Sequence, residues 1–179
     1  MSPPSTPRWV LAATLGYAVL ASSFCLPGPA AGYLAEPVSV AGGYSGDPKL
    51  SVDVASLSIS EGGRQRFVID AGRAYAGHEY QMVGSASGVF PGTLVDTIMV
   101  PLNYDAYSEL LLEIYRKAPC VRFSGRLDKD GRVYPELNVA KGTQNLATNR
   151  VYYHAAVIWD AKKQDVINAS NAVELMTLP

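Results

Sequence analysis

The chain has 179 residues, a formal net charge of −1 and a pI near 6.1. That balance points away from nucleic acid and from an anionic membrane surface as partners. Only 17% of residues are charged, while Gly (16) and Pro (12) are plentiful and Val, Tyr, Thr and Ser recur, which favours an all-β domain with many turns over a helical one.

Residues 1–32 read as a secretory signal peptide. A short polar stretch with one positive side chain, Arg8, precedes the apolar run W-V-L-A-A-T-L-G-Y-A-V-L-A-S-S-F, Trp9 to Phe24. Small residues follow at Ala30, Ala31 and Gly32, where cleavage is expected, with Ala21 as a second site. The run is short for a membrane span, which takes about 20 apolar residues, so no span is expected after cleavage. Cys25 sits where a lipoprotein signal would place its cysteine, but bulky Phe24 before it argues against lipidation. With Cys25 removed, Cys120 is the only remaining cysteine and no intramolecular disulfide forms. Cys120 lies in A-P-C-V-R-F beside an apolar strand and reads as a buried small hydrophobe.

Residues 33–48, rich in Gly, Pro and Ala, read as an exposed linker, and residues 49–179 as the folded domain. In Lys49 to Ser60 the apolar phase slips: Val52 and Val54 share one face, Leu57 and Ile59 the other. That predicts a bulge or a strand that changes sheets. Arg64 to Asp70, Glu79 to Ser85 and Leu94 to Leu102 are the next predicted strands. Asn103 to Lys117 shows helical spacing at Tyr107, Leu110, Leu111 and Ile114, with Asn103 or Asp105 as cap. Val121 to Asp128 and Arg132 to Val139 predict a hairpin around D-K-D-G, in which Gly131 takes the left-handed conformation. Val151 to Asp160 is apolar on both faces, as in a central strand. Gln164 to Ala169 and Ala172 to Leu178 complete seven to nine strands, the pattern of an immunoglobulin-like β-sandwich with one short helix.

Motifs that would carry chemistry are weak. G-S-A-S-G, Gly84 to Gly88, has the glycine spacing of a nucleophile elbow, but Ala86 occupies the nucleophile position and V-F-P-G follows instead of a helix. A strand end and a glycine-bearing loop is the preferred reading; the enzyme alternative is a serine hydrolase using Ser85 or Ser87 with His154 and an Asp. His78 and His154 are too few and too far apart to announce a zinc site. D-K-D-G lacks the further ligands of a calcium loop. No metal or cofactor is implied, and no catalytic residue is assigned. Tyr104, Tyr107, Tyr115, Tyr152 and Trp159 are candidates for stacking on sugar rings, against the ordinary reading of strand aromatics as core. Asn168-Ala169-Ser170 is a formal glycosylation acceptor.

The segments G-S-A-S-G-V-F-P-G, V-P-L-N-Y-D-A-Y, F-S-G-R-L-D-K-D-G-R-V, Y-Y-H-A-A-V-I-W-D and N-A-S-N-A-V-E-L occur in that order. In that order they resemble a group of uncharacterised secreted bacterial proteins with a C-terminal β-sandwich-like domain, over roughly Gly72 to Leu178. The resemblance implies an exported, bacterial, non-enzymatic domain and lends no catalytic residue. The expected function is a secreted, periplasmic or cell-surface structural or adhesive module that recognises an extracellular protein or glycan. The alternative is a carbohydrate-binding module.

Overall fold

The computed structural model describes residues 47–144 and 146–179. The stretch read as a signal peptide, Cys25 and nearly all of the stretch read as a linker therefore lie outside the described residues. The strands are β1 (Lys49–Val52), β2 (Ser56–Ser58), β3 (Gly63–Asp70), β4 (Glu79–Ser85), β5 (Thr93–Val95), β6 (Ile98–Val100), β7 (Cys120–Val121), β8 (Ser124–Arg126), β9 (Arg132–Val133), β10 (Glu136–Val139), β11 (Arg150–Asp160), β12 (Asp165–Ala169) and β13 (Val173–Leu178). Seven of these run four residues or longer. One helix, α1 (Ala106–Ile114), and one 3₁₀ turn, Arg73–Tyr75, are the helical elements among the described residues.

Two sheets face each other, so the fold is an all-β sandwich. The first has the order β1-β3-β10-β7, with β9 also on β3; the second has the order β2-β13-β11-β4-β8, with β12 also on β11. Phe67 and Ile69 of the first sheet and Met82, Ile158 and Leu175 of the second meet in one buried cluster with Phe123. Phe67 and Phe123 pack edge to face with ring centroids 5.8 Å apart, a favoured aromatic geometry. The pairing of β11 with β4 on one side and with β13 and β12 on the other makes it the predicted central strand.

The phase slip at residues 52–57 is a change of sheet. β1 pairs antiparallel with β3, and three residues later β2 pairs parallel with β13 in the other layer. The crossing is fixed by Gln65, fully buried on β3, whose Nε2 donates to the Val54 carbonyl at 2.7 Å and to the Glu174 carbonyl of β13 at 3.0 Å. A buried amide on one layer that donates to the crossover and to a strand of the other layer couples them, because losing it would break both bonds at once.

Two predicted strand assignments change. Val121 to Asp128 and Arg132 to Val139 do not form one hairpin. At Arg122 the chain takes φ 53, leaves β10 after two residues, and joins β4 of the other sheet as β8. The returning segment pairs with β3 instead. Only the turn itself is as expected: Gly131 has φ 77, and Asp128 Oδ1 accepts from the Asp130 and Arg132 amides at 2.9 and 2.8 Å. Leu94 to Leu102 likewise is not one strand but the ribbon β5–β6, reversed at Asp96, φ 54. Asp96 has a second duty, since its Oδ2 accepts from the Val166 amide of β12 at 2.9 Å; a short carboxylate tolerates the left-handed backbone and bonds outward from it.

Gly131 is constrained twice, by its positive φ and by space: a Cβ there would run into the Gly72 carbonyl oxygen. Gly131→Val is therefore expected to lower stability by more than about 2 kcal/mol, read from urea denaturation; an unchanged midpoint would remove this account of the turn.

Candidate functional site

The G-S-A-S-G segment ends β4 and leads into a loop, and the structure shows what its two serines face. Asp105, the residue before α1, lies in extended conformation (φ −153) and caps the helix: its Oδ1 accepts from the Tyr107 and Ser108 amides at 2.9 and 3.0 Å. Ser108 completes the capping box by accepting from the Asp105 amide at 3.1 Å, the reciprocal pattern that satisfies two orphan donors. The other carboxylate oxygen turns to the loop. Oδ2 accepts from the Ala86 and Ser87 amides at 2.7 and 2.8 Å, and from the Ser85 and Ser87 hydroxyls at 3.0 and 2.7 Å. The loop is a cradle for a carboxylate, and the chain's own Asp105 fills it. Burial works to raise the Asp105 carboxyl, but the bonds from Ser87, Ser108, Ala86 and Ser85 prevail and hold it below the usual carboxylate value, as donors to a charged form do.

His154 does not join these serines. On β11 it is paired with Gly84, so it shares a sheet face with Gly84, and Ser85 falls on the alternate one. His154 is fully buried among Phe67, Phe123 and Tyr107, with Nε2 2.9 Å from the Tyr107 hydroxyl. Burial depresses its pKa to about 3. The geometry of the serine-hydrolase alternative, a serine within reach of His154, is thus not what the described residues present.

The aromatic candidates separate. Tyr107 and Tyr152 are buried against each other, ring centroids 4.6 Å apart, and Trp159 is buried as well. On α1 and β11 these three stacking candidates are buried side chains and present no exposed ring face. Tyr104 and Tyr115 are half-buried, and the Arg116 guanidinium lies 5.0 Å from the Tyr115 ring centre. The structure does not gather the five into an exposed plane. Asn168 of the glycosylation triplet donates its side-chain amide to the Tyr75 hydroxyl at 2.8 Å. Cys120 is buried, and burial pushes its thiol up to about 12, as expected of a core thiol.

A surface feature escaped the sequence reading. Phe90 is 86% exposed, Leu94 64%, Met99 55% and Val89 41%. Leu94 and Met99 face each other across the β5–β6 ribbon, and Phe90 precedes them in the loop that leaves the Asp105 cradle. Asn103 braces this tip: its Nδ2 donates to the Ser87 and Phe90 carbonyls at 3.2 and 2.8 Å, and its Oδ1 accepts from the Gly92 amide at 3.0 Å. Between Ser87 and Pro101 the sole ionisable side chain is Asp96. The tip is therefore apolar, uncharged except for one carboxylate, and held in shape by side-chain bonds. The available signal was Asp96-Thr97 at the middle of T-L-V-D-T-I-M-V, a turn dipeptide inside an apolar run.

The fold places the chain in the class of all-β sandwich proteins. No family model matches the chain, and no curated protein does. Among solved structures it is similar to the crystal structure of the E. coli chaperone DraB, with 12% identity and a TM-score of 0.34 over 74% of this chain and 55% of that one. The chain thus spans about half the length of that protein.

Two outcomes test the site. Asp105→Ala removes the acceptor shared by the cap and the loop and should lower stability by about 2–4 kcal/mol; a loss below about 0.5 kcal/mol in chemical denaturation would show that the cradle is not a structural centre. His154 is neutral in the fold, whereas its unfolded form protonates near 6.5. Stability should therefore fall as pH drops from about 6.5 toward about 3, by up to about 1.4 kcal/mol per pH unit from this group. Comparing His154→Gln with the parent at pH 7 and pH 5 isolates that slope, and equal slopes would refute it.

Proposed function

We propose that the chain is an exported, non-enzymatic binding module, secreted, periplasmic or at the cell surface, that contacts an extracellular partner through the apolar tip around Phe90. Export rests on the charged, apolar and small-residue order of residues 1–32. The ordered segments that resemble secreted bacterial β-sandwich proteins support the same compartment. The observation that carries the binding role is the tip itself: a braced loop that exposes Val89, Phe90, Leu94 and Met99 together. Side chains of that kind are costly to hold in water and characteristically mark a contact surface. Rigid presentation lowers the ordering cost of association, and a central aromatic is the commonest anchor of a protein interface.

A non-enzymatic role is supported by the use made of the polar groups. The Ser85 and Ser87 hydroxyls donate to Asp105, and His154 is enclosed by aromatic rings. The carbohydrate-binding alternative has less to stand on, because three of its five stacking residues are in the core.

The expected result is that the purified protein is retained on envelope fractions of the cells that produce it, and that Phe90→Ser combined with Leu94→Ser lowers retention at least tenfold with an unchanged melting temperature. A glycan-array signal that survives the double substitution would overturn the assignment in favour of sugar binding.

A further inference from the structure

On the other side of α1 from the solvent the chain leaves a groove of about 220 Å³. Its helix wall is Tyr107, Leu110, Leu111 and Ile114, spaced i, i+3, i+4, i+7 along one stripe; Leu137 and Val139 of β10 form the facing wall. The groove exists because β7 is only two residues long. It begins at Cys120, opposite Leu137, so beyond Leu137 β10 faces the irregular Ala118–Pro119 stretch and donates one bond to it, from the Asn138 amide to the Pro119 carbonyl at 2.9 Å. The helix meanwhile is bound to the opposite sheet, with the Ser108 hydroxyl donating to the Gly84 carbonyl at 2.6 Å. Held there, it cannot move across to close the gap.

The groove is independent of the tip and has its own charge pattern. The helix acids Glu109 and Glu113 are exposed and lie off the apolar stripe. Lys117 and Lys141 directly adjoin two wall residues, Ala118 and Ala140; both are exposed, and neither makes an ion pair among the described residues. An apolar slot flanked by two unpaired cations matches a ligand with an apolar body and an anionic end. An apolar cavity of about 150 Å³ lined by Leu, Ile and Phe accepts benzene, so the larger volume here suits an alkyl chain of roughly eight carbons.

We infer that the groove between α1 and β10 binds a medium-chain carboxylate, its alkyl chain against Leu110, Ile114 and Val139 and its head group toward Lys117 and Lys141.

Octanoate, with octanol as its uncharged counterpart, tests this on the purified full chain. Titration calorimetry should show saturable 1:1 binding of octanoate below its micelle concentration, weakened by added salt. The methyl resonances of Ile114 and Val139 should shift in parallel. L110W should weaken binding at least tenfold, and the K117Q/K141Q double variant should weaken octanoate severalfold while leaving octanol unchanged. Should L110W fail to fold, the methyl map of the parent protein decides alone. No saturation, shifts confined to residues outside the groove, or octanol bound as tightly as octanoate would overturn the assignment.

Discussion

A single carboxylate ties the end of β4, the start of α1 and the loop toward Phe90 together. Asp105 accepts from two amides of α1, two amides of the 85–88 loop and two serine hydroxyls. Hydrogen bonds to a charged acceptor contribute about 1.5–3 kcal/mol each at best, and they do not add when they share one group. The consequence is more geometric than energetic. The end of β4, the start of the helix and the loop that carries Phe90 are fixed relative to one point. From there the helix lies along β4, where Gly84 is required by close approach: a Cβ at that position would sit 2.6 Å from Leu111 and 2.7 Å from Tyr107. The helix that walls the groove and the loop that leads to the tip are thus both bonded to Asp105.

The interior follows a second rule. Its buried polar side chains are few, and several of them join separate elements. Gln65 bridges the layers. Ser170 binds β11 by accepting from the Ala156 amide while its own amide donates to the Ala156 carbonyl, both at 2.8 Å. This carries the chain from β12 to β13 along one side of the central strand. Thr177 donates to the Ala147 carbonyl at 2.6 Å, fastening the loop ahead of β11. A buried amide or hydroxyl with several backbone partners selects one register over its neighbours, since a one-residue slip would leave each acceptor unmet.

Much of this was legible in the sequence, and the residues show where legibility stopped. Strand-like runs marked β3, β4, β12 and β13, a run apolar on both faces marked β11 as central, and the phase reversal from Val52–Val54 to Leu57–Ile59 announced the change of layer. Helical spacing, with a cap at Asn103 or Asp105, gave α1, and Asp105 is the cap. These are properties of neighbouring residues. What failed were statements about partners. Alternation says which way a side chain points, not which strand lies alongside, so Val121 to Val139 looked like a hairpin although Arg122 sends its first half to the other sheet. The serines of the G-S-A-S-G loop looked like free hydroxyls because their acceptor lies 18 and 20 positions downstream. Tyr107 and Tyr152, 45 positions apart in the numbering, are buried by each other, and neither one alone reveals that.

The layer change near the beginning of the sandwich also decides how the domain answers to tension. β2 runs parallel to β13, with Ser56 beside Met176 and Ser58 beside Leu178. A pull toward the preceding residues at Ser56 and toward the following ones at Leu178 drags two parallel strands in opposite directions along their common axis. Their inter-strand bonds are then loaded side by side in shear and must yield together, whereas an antiparallel pair pulled at one open end unzips rung by rung.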